Sequence, residues 1–149
     1  HGLGMEVLGN DPYVAEDHHA WGKTVKTSAI EVFEKSDVIS CHVPLTEETY
    51  HIIDAAAISK MRTGTILINA SRGGVLDEAA VIDGLKSGKL GGAAIDVFEK
   101  EPINAASGAD FADVPNLLIT PHVAWATDEA NVMTDEVTVA NVRRVLGKD

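Results

Sequence analysis

The sequence predicts an α/β protein: an open, mainly parallel sheet, doubly wound, with right-handed crossovers. Three observations predict it. Short apolar runs alternate with helix-like segments along the whole chain. The turns between them are mostly short and carry helix signals, Asp or Ser opening a helix and Gly closing one. Finally, three of the apolar runs end at or just before small, polar or ionisable residues, at the strand ends where open α/β sheets hold ligands.

Taken in order, residues 5–9 read as a strand followed by Asn10-Asp11-Pro12, and His1-Gly2-Leu3-Gly4 before it reads as the tail of a helix ending at glycine. Ser28 with Glu31 fits a capping box and opens a short helix through about Lys35. Residues 38–43 form the next strand, closed by Pro44, which a strand interior excludes. Asp54 caps a helix containing Ala55, Ala56, Ala57, Ile58 and Met61. Gly64 turns the chain into the run Thr65-Ile66-Leu67-Ile68-Asn69, whose apolar, β-branched pattern predicts a strand buried on both faces. Asp77 caps another helix, with Val81, Ile82 and Leu85 at helical spacing and Gly88 beyond its end. Gly91-Gly92 leads into a strand ending at Asp96. Residues 99–115 read as an irregular excursion, and 117–120 as the last strand. A final helix begins at Thr127 or Asp128, carries Val132, Val139, Val142 and Val145 on a rough stripe, and ends at Gly147.

A length of 149 residues fits one domain with a real core, and 45% hydrophobic with 23% charged residues predicts a soluble, globular chain. No apolar run reaches membrane-spanning length, so no membrane partner and a cytoplasmic location are expected. Twelve basic against 23 acidic side chains give a net charge of −11, which disfavours nucleic acid as a partner. The single cysteine, Cys41, lies in an apolar run and reads as a buried structural thiol. His18-His19, His42 and His51 lack metal-ligand spacing, so no metal and no site are expected there. No G-x-G-x-x-G stands between a strand and a helix.

Arg72, Glu101 and His122 each follow one of the strand-like runs, and the fold would bring them to one rim of the sheet. The stretches that carry them are Ile68-Asn69-Ala70-Ser71-Arg72-Gly73, Ala94-Ile95-Asp96-Val97-Phe98-Glu99-Lys100-Glu101-Pro102 and Thr120-Pro121-His122-Val123-Ala124-Trp125. With Val43-Pro44-Leu45-Thr46, in this order, they resemble the D-isomer-specific 2-hydroxyacid dehydrogenase family, which includes glycerate/hydroxypyruvate, phosphoglycerate and D-lactate dehydrogenases. The resemblance runs nearly end to end.

It implies a Rossmann-like NAD-binding domain over residues 1–149, lacking the first strand and its glycine-rich loop, with the last helix, about 127–146, returning toward an absent substrate domain. In the strand order 3-2-1-4-5-6 the missing strand would lie between the runs at 5–9 and 38–43 and leave two edges unpaired. It implies reversible hydride transfer between NAD(H) and a D-2-hydroxy acid or 2-keto acid, and a homodimer when intact. Arg72 matches the arginine that clamps the substrate carboxylate, His122 the acid/base, and Glu101 the carboxylate paired with that histidine, its place just before Pro102 separating it from Glu99. Asp11 matches the acid that binds the adenosine ribose and favours NAD over NADP. Val43 and Pro44 would line the adenosine side, Ala70 and Ser71 would approach the nicotinamide end, and Asp96 would contact the cofactor beneath it; Arg72 and His122 also face the cofactor. A non-catalytic, NAD-sensing corepressor on the same fold is the alternative. Formate enzymes of this fold carry glutamine where Glu101 stands, and nothing specific supports a phosphite enzyme.

Overall fold

The computed structural model describes residues 1–104 and 108–148. Residues 105–107, part of the expected irregular stretch, lie outside the described residues. Two parallel sheets organise the chain. A small one pairs β1 (Leu8–Gly9) with β2 (Val25–Lys26). The larger one runs β3 (Val38–Cys41), β4 (Thr65–Asn69), β5 (Leu90–Ile95) and β6 (Leu117–Ile119), neighbours in that order and all parallel. β1 and β3 share no ladder. Strand β2 has no counterpart in the sequence pattern. It is two residues long, and its pairing rests on Val25 N–H to Val7 O and Thr27 N–H to Gly9 O rather than on its own side chains.

Local chemistry sets the helices. Ser28 Oγ accepts from the Glu31 amide and opens α1 (Ala29–Lys35). Asp54 accepts from Ala57 and opens α2 (Ala55–Lys60). Asp77 accepts from Ala80 and opens α3 (Glu78–Lys86), which ends before Gly88 at φ 74°. Thr127 accepts from Ala130 and opens α4 (Asp128–Leu146), which closes on Gly147 in the left-handed region. Each cap satisfies one amide that the first helical turn leaves without a partner.

The register explains what is buried. Ile39, Leu67, Ala93 and Leu117 lie side by side across the four strands, as do Cys41, Asn69 and Ile95. This face packs on Ile58, Met61, Val81 and Leu85 of the α2–α3 side, and these residues form the core. Cys41 is buried as expected, and that burial pushes its thiol pKa up to about 11. The opposite face carries Ser40, Ile68, Ala94 and Leu118 in one row and Val38, Ile66 and Gly92 in the next. Val38, Ile66 and Leu118 are exposed, so the expectation that residues 65–69 are buried on both faces is corrected. The layer formed by α1, α2 and α3 lies on one side of the sheet; on the other, Val38, Ile66 and Leu118 are exposed and Ile68, Ala94 and Gly92 are half-buried.

Two strands also differ in extent from the sequence pattern. Residues 5–7 and 42–43 fall outside the ladders, and the glycine pair expected to precede β5 lies within it. A Cβ on Gly91 would sit 2.4 Å from Gly64 O, so glycine is what lets the turn before β4 approach β5. Helix α4 buries none of its residues; Val132, Val139, Val142 and Val145 are 50–81% exposed. No helix is long and apolar enough to cross a membrane among the described residues.

The exposed Val38, Ile66 and Leu118 of that face and the apolar side chains of α4 predict that the 149-residue chain alone associates in solution. Light scattering coupled to size exclusion should show species larger than 15.8 kDa whose mass rises with concentration; a concentration-independent monomer would contradict this.

Candidate active site

The parallel strands place their carboxyl ends, and the loops that follow, on one rim. The loop after β4 carries Ala70, Ser71 and Arg72. Buried Asn69 holds it: its Oδ1 accepts from Ser71 N–H (3.1 Å) and Ser71 Oγ (2.8 Å), and its Nδ2 donates to Arg72 O at 3.0 Å. The Arg72 guanidinium donates to Ser71 O and, among the described residues, pairs with no carboxylate. An arginine left without an acid at a strand end is available to an anionic ligand. Arg72 and Ser71, with Ala70, His42, Val43, Pro44 and Leu45, line a cleft of about 540 Å³ between the ends of β3 and β4. Five of the residues expected to touch a cofactor or substrate are thus gathered in one place. The Pro44 segment is stiffened by Thr49, whose hydroxyl donates to Pro44 O at 2.6 Å.

Glu101 and His122 meet directly. His122 Nδ1 lies 2.8 Å from Glu101 Oε2, and Glu101 Oε1 accepts from Phe98 N–H at 2.9 Å. The Phe98 amide is the first cause that holds the Glu101 carboxyl below its ordinary pKa; burial opposes it and the His122 imidazole adds to it. An ionised Glu101 fixes the imidazole proton on Nδ1, which leaves Nε2 as the exchangeable nitrogen. Both side chains are partly exposed.

Asp96 is held by its own chain. It is buried at the end of β5, and its carboxylate is occupied by the chain itself: Oδ1 accepts from Thr120 Oγ1 and Val123 N–H, and Oδ2 from Ala124 N–H. Burial alone would raise its pKa; these three donors and the nearby imidazole of His122 outweigh burial and lower it. Asp96 therefore pins the loop of His122, a residue held at φ 55° in the left-handed region. Trp125 Nε1 donates to His122 O at 2.9 Å and ties the loop from its other side.

The two halves of the rim are locked together by Gly73. A Cβ there would stand 1.9 Å from Phe98 O and 2.0 Å from Phe98 C, so only glycine lets the Arg72 loop lie against the segment that carries Glu101. Asp11 sits just past β1, where its Oδ1 accepts from Tyr13 N–H at 2.9 Å in an Asx turn.

Asn69, Gly73 and the tethering bonds of Asp96 went unrecognised in the sequence; an Asn closing a buried strand and a Gly immediately after the arginine are the signals that carried them. His42 and His51 each find a side-chain partner. His42 Nε2 lies 2.9 Å from Ser40 Oγ and its side chain lines the cleft, while His51 pairs with Glu99 at 3.0 Å. A second concavity, bounded by Asp128, Glu129, Val132, Met133 and Glu136 of α4 alone, contains none of the expected residues.

Residues 1–124 match the family model described as D-isomer specific 2-hydroxyacid dehydrogenase, NAD binding domain. The chain belongs to this family. It is 44% identical over 146 residues to (S)-sulfolactate dehydrogenase of Chromohalobacter salexigens, covering 97% of this chain and 47% of that protein. It is 44% identical over 147 residues to glycerate dehydrogenase of Methylorubrum extorquens, covering 98% of this chain and 44% of the relative. The crystal structure of D-lactate dehydrogenase from Aquifex aeolicus, complexed with NAD and lactic acid, superposes with a TM-score of 0.82 at 37% identity, over 99% of this chain and 48% of that one. The chain thus spans just under half the length of the relatives it matches. The Rossmann-type α/β assignment is supported at every level of comparison.

Two tests follow from this family member's geometry. Gly73→Ala must separate the Arg72 loop from Phe98 and should cost about 3 kcal/mol, the upper end for overpacking, read as a lowered midpoint in urea. Asp96 and Glu101 are both depressed carboxyls. Their contribution to stability is present above the ordinary carboxylate pKa and is lost as pH falls through their lowered values. In a Trp21→Phe background, Trp125 fluorescence should therefore hold steady down through about pH 4 and change only below it. A transition centred above that range would contradict the assignment.

Proposed function

We propose that this chain is the NAD-binding part of a longer NAD-dependent dehydrogenase that interconverts a D-2-hydroxy acid and its 2-keto acid. The observation that carries the reading is the His122–Glu101 pair on the same rim as an arginine that has no acid partner among the described residues. The residues of the cleft fit the cofactor. Apolar Val43, Pro44 and Leu45 offer a surface for a flat base, and Ala70 and Ser71 are small enough to let a ring approach the strand ends. Asp11, past β1, stands where an acid accepts from ribose hydroxyls and disfavours a 2′-phosphate, so NAD is preferred to NADP. When bound, the nicotinamide accepts or supplies the hydride.

The protein supplies the rest. Arg72 grips the substrate carboxylate in its planar fork and draws electron density from the adjacent carbonyl. His122, neutral, takes the hydroxyl proton on its free Nε2 as the hydroxy acid is oxidised; protonated, it returns that proton during keto acid reduction. Glu101 stabilises the imidazolium that forms in the first case and keeps the ring in one tautomer throughout. Asp96 holds the loop at the height where this can happen. By the same reading, α4 leads its unpartnered face toward the substrate domain, the intact enzyme is a cytoplasmic homodimer, and the second domain completes the substrate pocket.

The full-length protein should reduce hydroxypyruvate or glyoxylate with NADH; absence of turnover across a panel of short 2-keto acids would reject the proposal. His122→Ala should lower kcat by roughly 10²–10⁴ while NADH affinity, measured by fluorescence titration, stays near wild type. Arg72→Lys should raise the KM for the keto acid by about tenfold or more, because a single ammonium replaces a bidentate fork. Full efficiency in Arg72→Lys would remove the carboxylate clamp from the mechanism.

A further inference from the structure

Glu99 takes no part in the chemistry above, yet it ties the segment that presents Glu101 to two other pieces of chain. Its amide donates to Glu78 Oε1 at 2.7 Å, and its own Oε1 accepts from the Glu78 amide at 3.4 Å, so the two glutamates grip each other reciprocally. The same Oε1 lies 3.0 Å from His51 Nε2. His51 is itself fixed. Its amide donates to Gly74 O at 2.8 Å, its ring stacks on Tyr50 with centroids 4.0 Å apart, and Ile53 beyond it exchanges bonds with Val75 and Asp77. Three separate pieces of chain, 51–53, 74–78 and 98–101, converge on one carboxylate.

We propose that the Glu99–His51–Glu78 cluster is a latch that positions Glu101 for its pairing with His122. The geometry carries the argument. Phe98 N–H holds one oxygen of Glu101, and Glu99 follows Phe98 directly. Gly73 presses on Phe98 O and Glu99 N from below. Removing the Glu99 side chain takes away its bonds to His51 and to the Glu78 amide, and leaves the Glu99 amide on Glu78 Oε1 and the packing of Phe98 on Phe111 to hold the segment. The cluster also joins two carboxylates that repel each other: burial raises the Glu78 pKa, the Glu99 amide bond lowers it, the charge of Glu99 raises it, and His51 and Lys100 oppose that rise. His51 Nε2 thus stands within hydrogen-bond reach of the carboxylate between them. Glu99, His51 and Glu78 are positioning residues: among the described residues none bonds to Arg72, Glu101 or His122.

The inference rests on the dehydrogenase reading, and its test separates the two. In the full-length enzyme, Glu99→Ala should lower kcat roughly ten- to hundredfold while the KM for NADH changes less than about twofold, since a small misplacement of the acid–base pair penalises the chemical step. Glu99→Gln keeps the acceptor oxygen and should restore most of the loss. The signature that a merely stabilising contact would not move is the downfield proton resonance of His122 Nδ1–H against Glu101, assigned by its absence from His122→Ala. It should weaken or shift in Glu99→Ala and return in Glu99→Gln. Should Glu99→Ala fail to fold, His51→Ala against His51→Gln repeats the comparison by removing and restoring only the donor. A lowered melting temperature with kcat and the His122 resonance unchanged would overturn the latch. If the wild-type enzyme turns over no 2-keto acid, the functional reading falls, and the resonance alone still decides whether the latch positions Glu101.

Discussion

One buried carboxylate organises the rim. Asp96 closes β5, the strand between those that lead to Arg72 and His122, and its two oxygens accept from three donors of the segment 120–124. A charge removed from water is stable only when it is well partnered, and here the partners are backbone amides and a hydroxyl of the loop it must hold. Folding therefore cannot bury Asp96 without setting the His122 loop. The pair with Glu101 lies on the same rim: Glu101 follows Asp96 by five residues, and its Oε2 lies 2.8 Å from the imidazole that the Asp96-held loop presents.

The neighbouring half of the rim is built by exclusion rather than attraction. Gly73 has no side chain, so the Arg72 loop and the Phe98 carbonyl approach to a distance that any Cβ would forbid. Asn69, almost fully buried, replaces the missing ladder bonds with three of its own. Polar groups placed at the ends of buried strands need partners of this kind, and the sequence supplies them within three residues. The cation, the carboxylate and the imidazole are thus held by different local devices that share one sheet.

Much of this was legible in the residues. The expected helix caps at Ser28, Asp54 and Asp77 accept from the amide three residues on, and of the two starts left open for the last helix Thr127 is the cap, because capping is a local contest between a side chain and an amide three residues on. The His122–Glu101 pairing came from resemblance, since nothing local to either residue specifies a partner 21 positions away. What escaped is tertiary in origin. The bonds of Asp96 span 24 to 28 positions, the contact of Gly73 with Phe98 has no periodicity, and the Glu99–Glu78 grip joins a helix start to a loop. The alternation of β4 shows the same boundary. A run of β-branched residues announces a strand, but which of its faces meets a helix depends on what packs there.

The ladder also acts as a ruler. Arg72 follows β4 and His122 follows β6, with β5 between them, so two strand spacings, roughly 10 Å, separate the points from which the two loops leave the sheet. For the proposed reaction, a substrate whose acidic group and hydroxyl sit on adjacent carbons meets both residues only if their side chains reach inward from the two banks of that span. Within the proposed chemistry, a third carbon and whatever follows it must point out of the plane of the strands, so discrimination among substrates falls to whatever lies above the rim rather than to the sheet itself.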